Sequence, residues 1–256
     1  MRPAIRSCAL LLAVAMLAGC AGATPASHNP GPASLAPATE APAQSAFRRA
    51  LSDAGIAFAP PEAGKAILVN VPAFELIAFD DGEPAFRSRV IVGTPWNPTP
   101  LLSTRTTVVR FRPSWRPTPA MVASGEYPDR IVPPGPNNPL GLAAVRMEPG
   151  LLVYMHDTNR RELFAEDARA LSHGCIRVQR WDELIAWLLD TDLATVHGWA
   201  EGGRTFDEPT PPVPVTIGYF TQFPADDGTL QVFADVYGRE LAGEVSQVAV
   251  TAGCTG

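Results

Sequence analysis

A mostly-β domain with a few short helices is the fold this sequence predicts, on three observations. Short runs rich in Val, Ile, Leu and Phe are bounded by turn residues. The connecting segments hold many of the chain's 27 Pro and 21 Gly, too many for long helices. Helical spacing of apolar residues is confined to short stretches.

In chain order, Phe47, Ala50, Leu51 and Ala54 share one face of a short amphipathic helix, which Gly55 can stop. Ala66 to Val71 and Phe74 to Phe79 are β-prone, Asp81-Gly82 is a hairpin-type turn, and Ala85 to Val92 completes an antiparallel meander. Thr106 to Phe111, Leu142 to Met147 and Leu151 to Met155 are further strands, with no helix expected between them. Trp181 to Leu189 carries Leu184, Ile185, Trp187 and Leu188 as a helix buried on one side, and Asp192 to Ala200 forms another. The chain returns to strand at Val213 to Phe220 and at Leu230 to Phe233, with an Asp227-Gly228 turn before the second run.

A hydrophobic fraction of 46% in 256 residues is that of a globular protein able to bury a core. A net charge of −6 offers no basic stripe, so nucleic acid is a poor partner. Residues 1–20 have the layout of an export signal: Arg2 and Arg6, then an apolar run from Ala9 to Ala18 that is too short to span a bilayer. The run ends in Leu17-Ala18-Gly19-Cys20, which resembles the lipobox of bacterial lipoproteins. That resemblance implies lipidation of Cys20 and, with Ala rather than Asp at position 21, a periplasm-facing anchor at the outer membrane. Residues 21–46 are small, polar and Pro-rich, the composition of a tether. We divide the remainder into a helix and connector at 47–65, a main domain at 66–240 and a tail at 241–256.

Chemistry concentrates around Cys175. In an oxidising compartment Cys175 and Cys254 can pair, although Cys254 is the third residue from the end of the chain, in a Gly-containing tail. The other reading makes Cys175 a nucleophile, within Ser172-His173-Gly174-Cys175-Ile176-Arg177. A nucleophilic thiol needs a base, an oriented ring on that base, and donors for an oxyanion. His156 and His173 are candidate bases, and Arg177 is a cation able to lower the thiol pKa. Gly174 lets backbone N–H groups, its own and that of Cys175, approach a developing charge. A serine mechanism of the Ser-x-x-Lys kind is excluded, because Glu62 stands three positions before Lys65, the only lysine. A zinc site from His156, His173 and Cys175 would lack the usual paired ligand spacing.

His156, fifteen residues and then Ser-His-Gly-Cys resemble the signature of the L,D-transpeptidase catalytic domain family. Arg112-Pro113-Ser114-Trp115, the Pro134 to Gly141 string PGPNNPLG, Tyr154 to Thr158 and Asp235 to Arg239 extend the resemblance toward murein L,D-transpeptidases. It implies a β-sandwich, a Cys175 nucleophile and a His156 base whose ring is oriented by a carbonyl such as that of Asp157. It further implies support from Ser172, His173 and Gly174, and substrate contacts from Arg177, Trp115 and Asn138. The implied partners are peptidoglycan stem peptides, attacked at the third residue with release of terminal D-alanine and formation of 3–3 cross-links. No metal or organic cofactor is called for. Only about twenty residues separate Trp115 from Pro134, so the lid such enzymes carry there is reduced, and hydrolysis of the acyl-enzyme stays open beside cross-linking. A non-catalytic peptidoglycan-binding tether is the reading from another class; the complete nucleophile-and-base set argues against it.

Overall fold

Residues 45–148 and 150–240 are described by a computed structural model. The export signal, Cys20, most of the tether, and the tail with Cys254 lie outside the described residues.

The strands are β1 (Lys65–Asn70), β2 (Glu75–Asp80), β3 (Glu83–Gly93), β4 (Leu102–Phe111), β5 (Ala143–Met147), β6 (Tyr154–His156), β7 (Ala170–Ser172), β8 (Ile176–Val178), β9 (Phe206–Pro209), β10 (Pro214–Gly218), β11 (Gln222–Pro224) and β12 (Leu230–Val232). The helices are α1 (Ala46–Asp53), α2 (Pro119–Ala123), α3 (Trp181–Leu188) and α4 (Leu193–Glu201), with a 3₁₀ turn at Arg161–Ala165. The main sheet runs β10-β1-β2-β3-β8-β6-β5-β4-β9, and β4 also pairs with β10, so the hydrogen bonding closes on itself. Two long strands make this possible. β3 pairs with β2 through Arg89 and then with β8 from Val90; β4 pairs with β10 through Arg105 and then with β5 and β9. Strands that switch layers in this way form the corners of a β-sandwich.

The burial pattern explains the sequence pattern. β1 is buried on both faces because Ile67 and Val69 enter the main core while Ala66 and Leu68 face a second cluster. That second cluster is built on Phe47 and Leu51 of α1, with the Phe47 ring 5.8 Å from Phe79 and 5.9 Å from Phe223. Side chains of this size each stabilise by about 1.5–3 kcal/mol when fully buried, so α1 packs as part of the domain body. Ser45 caps α1 by accepting from the Arg48 N–H, and Asp192 caps α4 by accepting from the Thr195 N–H. Leu184, Ile185 and Leu188 of α3 and Val196 and Ala200 of α4 close the main core.

Several expectations need correction. The strand expected at Leu151 to Met155 is confined to Tyr154–His156, and the loop before it places the Leu152 carbonyl beside Cys175. A helix does form between β4 and β5: α2 is one turn, with Thr118 as its cap and Pro119 at its first position. The chain's start is not purely antiparallel, since β1 runs parallel to β10, joining the first and last parts of the sheet. β7, β8, β9 and β11 have three or four residues each, too short for alternation to register, and Pro209 and Pro224 sit in short outer strands where a missing N–H is tolerated.

Candidate active site

β6 and β8 are parallel neighbours, with Met155 opposite Ile176 and His156 opposite Arg177. Side chains alternate along strands. Met155, Ile176 and Val178 are fully buried in the core, which turns Tyr154, His156, Cys175 and Arg177 to the other face. The pairing of these two three-residue strands thus puts the candidate nucleophile and the candidate base on the same side of the sheet.

Cys175 follows a loop held by Ser172. The Ser172 hydroxyl donates to the Cys175 carbonyl at 2.5 Å and accepts from the Gly174 N–H at 3.1 Å. This corrects one expectation: the Gly174 N–H is turned inward to Ser172 and is not an oxyanion donor in this geometry, which leaves the Cys175 N–H. Gly174 has φ +103°, a backbone conformation closed to other residues, although a Cβ there would find ordinary space.

The Cys175 thiol donates to the Leu152 carbonyl at 3.6 Å. Burial pushes its pKa up, and the Tyr154 backbone N–H and the Arg177 charge only partly oppose this. The expected lowering of the thiol pKa by cationic neighbours is therefore overturned by desolvation. His156 is shifted the other way, to about 4, by burial first and by Arg177 second, against the carbonyls of Asp157 and Leu140. Both groups are neutral at pH 7. The His156 Nδ1–H donates to the Asp157 carbonyl, so in the neutral ring Nε2 carries the lone pair. The Asp157 side chain does separate work: it accepts from the Leu142 N–H at 2.9 Å and from Arg161 at 2.8 Å, pinning the chain on either side of β6.

A cavity of about 440 Å³ lies along this face, its wall including Trp115, Tyr127, Arg130, Arg160, His173 and Arg177. His173 Nε2 is 2.8 Å from Glu126, and the rings of Trp115, Tyr127 and His173 meet edge to face at 5.2 and 5.9 Å. The segment between β4 and β5 is thereby fastened to the loop that leads into Cys175. Trp115 faces the cavity, whereas Trp181, Trp187 and Trp199 pack in or against the core. Asn138 does not reach the cavity. It is fully buried, its amide donates to the carbonyls of Pro113 (2.7 Å), Val132 (3.3 Å) and Pro133 (3.2 Å), and its oxygen accepts from the Leu140 N–H (2.9 Å). Its expected contact with substrate is replaced by a structural staple, because every polar atom of the side chain is already used.

Residues 64–227 match the family described as the YkuD L,D-transpeptidase catalytic domain. The chain belongs to that family. Over 228 residues it is 26% identical to a Haemophilus influenzae protein named "Putative L,D-transpeptidase", covering 70% of this chain and 45% of that one. A further 74-residue match, 40% identical, is to the Escherichia coli K12 protein named "Probable L,D-transpeptidase YbiS", over 27% of this chain and 22% of that one. The chain thus spans less than half the length of these relatives. Among solved structures, an L,D-transpeptidase from Mycobacterium smegmatis aligns at 16% identity with a TM-score of 0.38, covering 60% of this chain and 58% of that one. The ertapenem-acylated catalytic domain from E. faecium aligns at 16% identity with a TM-score of 0.40, covering 60% and 97%.

In this L,D-transpeptidase domain, sequence reasoning missed Glu126, Tyr127, Arg130 and Leu152, which lie in irregular segments and reach the site only through the fold. The depressed His156 also makes stability depend on pH. Between pH 6.5 and about 4 the unfolded chain binds a proton that the folded ring refuses, so stability falls as pH falls through that window. The expected loss is about 3 kcal/mol once pH is below 4. Urea unfolding at pH 7, 5.5 and 4.5 should show this slope in the wild type and a shallower one in His156→Gln; parallel curves would contradict the burial of a neutral ring.

Proposed function

We propose that the chain is a cysteine-dependent acyltransferase acting on peptidoglycan stem peptides. The observation that carries this reading is the β6–β8 pairing, which sets Cys175 and His156 on one face of the sheet together with Arg177, whose side chain lines a cavity that Arg130 and Arg160 also line. Cys175 Sγ attacks the carbonyl of the third residue of a tetrapeptide stem while His156 Nε2 takes the thiol proton. Bond formation makes the sulfur more acidic, so a neutral pair at rest suffices. The Cys175 N–H donates to the oxyanion. Collapse breaks the peptide bond, His156 returns the proton to the departing D-alanine amine, and a thioester remains. The side-chain amine of a second stem then displaces the sulfur, giving a 3–3 cross-link and the free thiol.

Arg160 is paired with Glu162, while Arg130 and Arg177 carry no ion pair among the described residues. Two such guanidiniums suit a substrate bearing free carboxylates, as stem peptides do. A second reading has water resolve the thioester, and the shortness of the covering segment favours it. Incubating tetrapeptide muropeptides with the protein and analysing products by mass spectrometry separates the two. Loss of D-alanine with 3–3 dimers is the expected outcome, tripeptide alone makes the protein a carboxypeptidase, and unchanged muropeptides overturn the proposal. The reading also places the domain in the periplasm on a lipidated Cys20, from Leu17-Ala18-Gly19-Cys20. Palmitate labelling that persists in Cys20→Ser would contradict that anchor.

A further inference from the structure

Thr99 and Tyr237 lie outside the nucleophile signature, 76 positions before and 62 after Cys175 by chain number, yet they tie directly to its loop. Thr99 is fully buried. Its hydroxyl accepts from the Gly93 N–H at 2.8 Å and donates to the Gly174 carbonyl at 3.0 Å. Its own N–H donates to the Tyr237 hydroxyl at 3.1 Å, and that hydroxyl donates onward to the Gly93 carbonyl at 2.8 Å. Two side chains thus capture both backbone groups of Gly93 at the end of β3 and the carbonyl just before the nucleophile. Only glycine fits at position 93, since a Cβ would lie 2.1 Å from the Asn97 carbonyl oxygen and 2.6 Å from the Thr99 nitrogen.

The consequence follows from peptide geometry. A trans peptide is planar, with its C=O and N–H pointing in opposite directions. The Gly174 carbonyl and the Cys175 N–H belong to one such plane. Holding the carbonyl on buried Thr99 aims the Cys175 N–H away from the core. Rotation about ψ of Gly174 and φ of Cys175 would otherwise let that plane turn, and Ser172 anchors only its neighbours on either side, the Gly174 N–H and the Cys175 carbonyl. Tyr237 is itself fixed: its ring stacks on Tyr219 at 5.6 Å, and its N–H donates to the Tyr219 hydroxyl at 2.7 Å, which donates to Asp235 at 2.5 Å. Asp235 in turn accepts from the N–H groups of Arg239 and Glu240 at 2.9 Å each.

We infer that Thr99 and Tyr237 are positioning residues that orient the Cys175 N–H as oxyanion donor, so that the strap at 235–240 takes part in acyl transfer without touching substrate. This rests on Cys175 being the nucleophile but not on any particular substrate.

The test compares two reactions of Cys175 in the full chain. Alkylation by iodoacetamide displaces iodide and builds no oxyanion, whereas acylation by p-nitrophenyl acetate passes through one and releases p-nitrophenolate. Removing an oxyanion donor costs roughly 100- to 1,000-fold, and letting it swing should cost part of that, about tenfold. Thr99→Val and Tyr237→Phe should each slow acylation about tenfold while alkylation stays within about twofold, and Thr99→Ser should restore acylation. Acylation unchanged in both variants overturns the inference. So does alkylation falling in step with acylation, which would mean general loosening of the loop. A wild type that is not acylated at all removes the nucleophile, and with it both this inference and the proposed function.

Discussion

Cys175→Ala should fold like the wild type and lose acyl transfer by at least about a thousandfold in kcat. The side chain is only half-buried, and its thiol donates over a long distance to the Leu152 carbonyl, so little stability depends on it. Cys175→Ser should be nearly as inactive. The hydroxyl is far less acidic than a thiol, and His156, held at about pKa 4, is too weak a base to activate it. Rates of D-alanine release from tetrapeptide muropeptides check both variants, with thermal melts to establish folding. A Ser variant retaining a tenth of wild-type activity would contradict the neutral-pair account.

Asn138→Ala is expected to be the most destabilising of the site substitutions. It strips a donor from the carbonyls of Pro113, Val132 and Pro133, of which that of Val132 keeps the Trp115 N–H, and the acceptor from the Leu140 N–H in a fully buried place. Leaving such groups unsatisfied costs about 1–3 kcal/mol apiece where water cannot reach them, and partial relaxation brings the sum to about 3 kcal/mol. For a domain of this size that is a fall in Tm of roughly 10 °C. Assayed well below that melting point, the variant should keep a KM within about twofold of wild type. A KM raised tenfold with Tm unchanged would restore Asn138 to the substrate.

What the sequence revealed followed the range of the forces involved. β1 to β5 and the three longer helices are written in local alternation and spacing, and Ser172 to Arg177 is a contiguous chemical pattern that His156 precedes at fixed spacing. The three-residue strands β7 and β8 carry no periodicity, yet they flank the loop that leads into Cys175 and set which face it presents. Asn138 and Gly174 turn inward where the sequence suggests a ligand-facing role, because an amide or an N–H can turn outward to a ligand or inward to a carbonyl or hydroxyl. The thiol pKa depends on burial, which only the folded chain creates. Thr99 and Tyr237, 138 positions apart, become visible only when both reach Gly93.

Acyl transfer through Cys175 requires a thioester on its sulfur. Intact-protein mass spectrometry after mixing the chain with tetrapeptide muropeptide and quenching in acid, followed by peptide mapping, detects it. The expected adduct equals the donor minus D-alanine, is confined to the peptide containing Cys175 and is released by hydroxylamine. Consumption of the muropeptide by Cys175→Ala, or turnover with no adduct on that peptide under any quench time, would contradict acyl transfer through Cys175.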